Sequence, residues 1–88
     1  VPIARLRLAG VLLDEKAYDE ALKLLSGDTP ASAAVQFADR RGDVLLAMGR
    51  AEEARGAYRE ALDKADAQHP LRPLIQLKMD ALPPAAVS

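Results

Sequence analysis

The chain has 88 residues, half of them apolar but only three aromatic, and its 12 basic and 13 acidic side chains leave a formal charge of −1. That is apolar material for one small core built from Leu, Val and Ala, a palette that suits closely packed helices better than strands. The balanced charge excludes the basic stripe of a nucleic-acid binder. The lack of cysteine excludes disulfides and thiolate metal sites, and no apolar run approaches the roughly 20 residues that span a bilayer.

Ile3 to Asp14 reads as the first helix, with Leu8, Ala9 and Leu12 on one face and Val11 and Leu13 on its flanks. Apolar residues wrap most of its circumference, so neighbours are expected on two sides. After a turn at Glu15–Ala17, Tyr18 to Ser26 forms a second helix with Tyr18, Ala21, Leu22 and Leu25 inside, and Gly27 is expected to end it in a left-handed cap. Thr29 as N-cap and Pro30 as first residue predict a third helix reaching about Met48, closed by Gly49. The fourth runs from Glu52 to about Asp66, with Ala54, Tyr58, Ala61 and Ala65 inward. A fifth covers Leu71 to Leu82, presenting Leu71, Leu74, Ile75, Met79 and Leu82, and Pro83-Pro84 stops it. No segment shows period-two alternation, and residues 83–88 are expected to be a disordered tail.

Val11-Leu12-Leu13 with Glu20-Ala21 recurs as Val44-Leu45-Leu46 with Glu53-Ala54, a constant spacing of 33 residues. A fixed period of this size marks stacked helical repeats. Repeat one is assigned to residues 2–27, repeat two to 30–66, and a capping helix to 71–82, within a single domain. The expected fold is all-α: two antiparallel helix hairpins, stacked with a right-handed twist and closed by a fifth helix. Ala9 and Ala21, then Gly42 and Ala54, are small where paired helices must approach to about 8–10 Å.

Gly42, Leu45, Gly49, Ala54, Tyr58 and Ala61, echoed by Leu8, Ala9, Leu12, Tyr18 and Ala21, resemble the tetratricopeptide repeat. The run Arg41-Gly42-Asp43-Val44-Leu45-Leu46-Ala47, the pairs Gly49-Arg50 and Ala54-Arg55, and the closing Pro73–Leu82 stretch are more narrowly similar to the YfgM-type family of ancillary SecYEG translocon subunits. That resemblance covers about Ala4 to Leu82. It implies a periplasmic repeat domain held by an N-terminal membrane anchor and associated with the translocon and periplasmic chaperones. A chain beginning at Val1 is accordingly read as a piece whose anchor and upstream repeats lie outside it.

The resemblance also implies that the first helix of each pair lines a concave side. Its candidate protein-binding residues are Ile3, Leu6, Gly10 and Leu13, then Gln36, Asp39, Arg40, Asp43 and Ala47. The competing reading makes Asp39 and Asp43 a solvated face and turns Leu6 and Leu13 toward an upstream repeat. Two aspartates on that side would repel a C-terminal carboxylate, so acidic chaperone tails are not the expected ligand. His69, the one histidine, precedes Pro70 in a linker and reads as a helix-start residue. No Ser or Cys nucleophile has a histidine partner at readable spacing, and no His/Asp/Glu set has metal-ligand spacing.

The expected function is therefore non-catalytic protein binding, without cofactor, metal, nucleic acid or small-molecule substrate. Through the resemblance it is a periplasm-facing accessory module that meets translocon subunits, a periplasmic chaperone or emerging unfolded chains, with the membrane reached only through an anchor outside these residues. The alternatives are a structural cap on a longer repeat array and a cytosolic adaptor with unrelated partners.

Overall fold

The computed structural model describes residues 2–83. They form five α-helices: α1 (Pro2–Asp14), α2 (Tyr18–Ser26), α3 (Ala34–Ala47), α4 (Ala51–Lys64) and α5 (Arg72–Asp80), with a 3-10 turn at Ala31–Ala33 before α3. Among the described residues there is no strand, as the sequence pattern leads one to expect. The part of the expected tail from Pro84 onward lies outside the described residues. Each helix packs on the next, α3 against α4 most extensively, and α1 also touches α3.

The 33-residue period is visible in the backbone. At the end of α1, Ala17 N–H donates to Leu12 O at 2.8 Å and Lys16 N–H to Leu13 O at 3.0 Å; at the end of α3, Arg50 donates to Leu45 at 2.9 Å and Gly49 to Leu46 at 3.0 Å. These crossed bonds form the Schellman closure, which satisfies helix-end carbonyls and requires a left-handed residue just past the end. Gly49 takes φ +80° without cost, whereas Lys16 is forced to φ +61°. Asp19 and Glu20 then open α2 and Glu52 and Glu53 open α4, against the positive end of each helix dipole.

Three local expectations are corrected. Thr29 does not cap α3: its hydroxyl donates back to Gly27 O at 3.1 Å, and the chain enters α3 through the 3-10 turn with Pro30 extended. Gly27 is extended at φ −79°, ψ −161° instead of left-handed. The ends of α2 and α4 are closed by arginines brought from other helices. Arg5 donates to Leu24 O and Asp28 O, both at 2.7 Å, while its guanidinium lies 4.7 Å from the Phe37 ring centre. Arg72 donates to Leu62 O at 2.9 Å and Ala65 O at 3.1 Å. A side chain that completes orphan carbonyls removes the need for a glycine there. Finally, Leu74 faces outward at 46% exposure, and α5 buries Ile75, flanked by Leu71, Met79 and Leu82.

The core has two centres. Ala9, Ala21, Leu25, Ala33, Phe37 and Val44 form the first, and Val35, Ala38, Ala54, Tyr58, Ala61, Ala65, Ile75 and Leu82 the second. α3 supplies both, with Phe37 and Val44 turned to repeat one and Val35 and Ala38 to α4 and α5. Between α3 and α4 the Tyr58 ring lies on Gly42: a Cβ at Gly42 would stand 2.6 Å from Cδ1 and 2.8 Å from Cζ of that ring. An ion pair between Arg41 and Glu60, with Lys64 3.6 Å from the same carboxylate, ties the outer side of the two helices.

The strained turn makes a prediction. Lys16→Gly should raise stability by about 0.5–1 kcal/mol, the left-handed penalty less the added freedom of the unfolded glycine, and Gly49→Ala should lower it by a similar amount. Urea unfolding of the three proteins measures both; a destabilising Lys16→Gly would contradict the turn assignment.

Candidate protein-interaction surface

The candidate surface is the ridge where α1 and α3 lie side by side. Positions 33 apart are equivalent, so Ile3 matches Gln36, Leu6 matches Asp39, Gly10 matches Asp43, and Leu13 matches Leu46. The structure separates the nine predicted residues into three groups. Ile3 at 60% exposure and Ala47 are open to solvent, and Gly10 is partly covered, with nothing within 4 Å of where its Cβ would stand. Leu6 and Leu13 are half-buried and pack on the first core centre, so most of their apolar surface is used internally. Gln36, Asp39, Arg40 and Asp43 line the α3 part, and two of them bond to side chains of other helices.

Those two are the aspartates. Lys78 of α5 donates to Asp39 at 2.9 and 3.2 Å and to Asp43 Oδ2 at 3.2 Å. The Tyr58 hydroxyl donates to Asp43 Oδ1 at 2.6 Å, and Arg40 stands 3.7 Å from Asp43 Oδ2. The Lys78 ammonium also lies 5.8 Å from the Tyr58 ring centre, on the attractive face of the π-system. Asp39 is only 8% exposed, so the reading of a solvated acidic face is replaced by a half-sequestered cluster of two carboxylates and two cations.

Burial pushes the Asp39 carboxyl above its ordinary range; the hydrogen bond from Lys78 opposes this, and the neighbouring Asp43 charge adds to it. Burial, then the hydrogen bond to Asp43, pushes the Tyr58 phenol far up, so it stays a protonated donor. The cluster is an internal clasp: it fastens α5 to α3 by charge, where α5 reaches α4 by apolar contact.

Sequence reasoning missed Lys78. A signal existed, because residues 73–88 hold one cation and it had to answer two aspartates spaced i, i+4 on α3. His69 does what its place before Pro70 suggests, its Nδ1 accepting Leu71 N–H at 3.1 Å at the entrance to α5. Among the described residues no three His, Cys, Asp or Glu side chains gather as metal ligands, and no helix is long and apolar enough to cross a membrane.

Paired antiparallel helices, a 33-residue period and small residues under an aromatic ring define a helical-repeat interaction module. The model of the tetratricopeptide repeat-like domain matches residues 1–84, and the chain belongs to that family. The chain is also similar to the ancillary SecYEG translocon subunit of Neisseria gonorrhoeae (strain ATCC 700825 / FA 1090), 38% identical over 80 residues that make up 91% of this chain and 38% of that protein. The resemblance read from Arg41–Ala47 and Pro73–Leu82 is thereby borne out, and the chain spans well under half the length of that relative. No solved structure matches it.

Lys78→Met tests the clasp. It leaves two neighbouring carboxylates with Arg40 alone and should cost about 1–3 kcal/mol near neutral pH. Without the cation that opposes burial, the folded-state pKa of Asp39 climbs further above its unfolded value. Stability is then lost as pH rises between those two values, so the deficit should shrink on acidification toward the ordinary aspartate value of 3.8. Denaturation across that range, compared with the parent protein, measures it; a deficit independent of pH would contradict the assignment.

Proposed function

We propose that this chain is a non-catalytic binding module of the protein-export translocon, facing the periplasm and holding a translocon subunit, a chaperone or an emerging unfolded chain along the α1/α3 ridge. The observation that carries the reading is the similarity to an ancillary SecYEG translocon subunit across nearly the whole chain, on a repeat fold whose family works through surfaces. Membrane attachment is proposed to come from sequence outside these residues.

Because Lys78 occupies Asp39 and Asp43, the contacts available to a partner are Ile3, Gly10, Gln36, Arg40 and Ala47, with the exposed edges of Leu6 and Leu13. The same clasp favours a second reading, in which α5 and α3 chiefly close the end of a repeat array and the partner binds elsewhere.

Photo-crosslinking separates the two. A crosslinking residue at Ile3, Gln36 or Ala47 of the full-length protein, in membranes that hold the translocon, should give adducts with translocon subunits, a chaperone or exported chains. Lys23 and Arg59, exposed on α2 and α4, serve as comparison positions. Adducts from those two alone would overturn the ridge as the binding surface.

A further inference from the structure

We infer that the ridge continues onto α5, and that its occupant is an extended partner segment with a carboxylate for Arg7 or Arg40 and an aliphatic side chain for Leu74 and Leu77. The inference rests on the α1/α3 ridge being the binding surface, and it names the chemistry that surface accepts. Lys78 joins α5 to the ridge, because its ammonium bonds Asp39 and Asp43 on the α3 part. Leu74, Leu77 and Ala81 stand beside Lys78 on α5 at i, i+3 and i+7, on the side turned away from buried Ile75. Leu74 is 46% exposed and Leu77 65%, more than any other large apolar side chain among the described residues. Neither leucine belongs to a core centre. Single exposed leucines are ordinary, but two on one face, next to a polar ridge, have the make-up of an interaction site.

The charges on this face fix the sign of the partner. Both carboxylates are taken, Asp39 by Lys78, and Asp43 by Lys78, the Tyr58 hydroxyl and Arg40 at 3.7 Å. A cation from a partner would have to displace one of these donors. The arginines are less fully engaged. Arg7 is exposed and forms no ion pair among the described residues. Arg40, its equivalent 33 residues on, shares Asp43 and keeps 39% of its side chain exposed. An incoming carboxylate thus meets guanidinium groups that can still donate, whereas an incoming ammonium meets occupied acceptors. The clasp removes the repulsion of acidic ligands that Asp39 and Asp43 lead one to expect. Leu6 and Leu13 pack within repeat one instead of turning toward an upstream repeat, so the free apolar area of the ridge is on α5. Helices packed side by side stand about 8–10 Å apart, the reach of about three residues of extended chain. A segment with its carboxylate at Arg40 therefore brings a side chain about three or four residues further on over Leu74 and Leu77.

Peptide binding to the full-length protein, read by fluorescence anisotropy, tests this. The probe is an unstructured peptide with a glutamate pair and a leucine pair about four residues apart. Matched peptides carry lysines for the glutamates or serines for the leucines. At low salt the glutamate–leucine peptide should bind about tenfold tighter than the lysine peptide, and added salt should narrow the gap. Arg7→Glu combined with Arg40→Gln should abolish that preference. Leu77→Ser should weaken the glutamate–leucine peptide about fivefold and leave the serine peptide unchanged. Equal binding of the glutamate and lysine peptides to the parent protein, indifference to Leu77→Ser, or no binding by any of the three peptides would overturn the inference. The translocon reading would survive those results, because crosslinking at Ile3, Gln36 and Ala47 decides it separately. A dimer in sedimentation that Leu77→Ser dissociates would also overturn the inference, since a second copy would then cover the α5 leucines.

Discussion

The structure depends on one close approach, the Tyr58 ring laid against the backbone of Gly42. No side chain at position 42 fits beneath the ring, and the approach lets α3 and α4 share the most extensive contact in the molecule. The ring's position fixes its hydroxyl, which reaches Asp43; Asp43 and Asp39 together hold Lys78. A packing constraint inside the second hairpin thus propagates through three hydrogen-bonded groups to the placement of the last helix. The equivalent pair in the first hairpin is Ala9 and Leu25, both buried. There an aliphatic side chain of smaller volume faces a residue that keeps its Cβ, so the two repeats solve one spacing problem with two compensating pairs.

α3 is the element on which both core centres converge. Its buried residues divide between Phe37 and Val44 on one side and Val35, Ala38 and Gly42 on the other, which is how a repeat helix bonds to the unit before it and to its own partner at once. The two arginine closures follow the same logic of neighbour supplying neighbour. Arg5 on α1 completes the end of α2, and Arg72 on α5 completes the end of α4. Repeat one closes its second helix from within, whereas repeat two is finished by a residue of the capping helix.

Much of this was readable from the chain. The period, the small residues at 9, 21, 42 and 54, and the αL role of Gly49 follow from local rules, because a helix crossing or a helix end makes demands on a single position. The five helices and their order came from the same signals. What failed involved choices between distant groups. Gly27 carried a correct local propensity, but Arg5, 19 to 23 residues away, satisfied the carbonyls a left-handed cap was expected to serve, and Thr29 turned its hydroxyl back to Gly27 O as the chain entered α3 through a 3-10 turn. Asp39 and Asp43 looked like a recognition face because nothing local reveals that Lys78, 39 and 35 residues on, folds back to them. Two of the nine residues expected to line an interaction surface therefore belong to the internal clasp.

The most direct measurement of the central contact is a double-mutant cycle between Gly42→Ala and Tyr58→Leu, read by chemical denaturation. The double variant rebuilds the Ala9–Leu25 pair of the first hairpin at the second. If the ring on the glycine sets the helix spacing, Gly42→Ala alone should cost about 1–3 kcal/mol despite its better helix propensity, and the double variant should be more stable than the sum of the two single losses by about 1 kcal/mol or more. Additive losses would mean that the ring and the glycine do not constrain each other, contradicting the account.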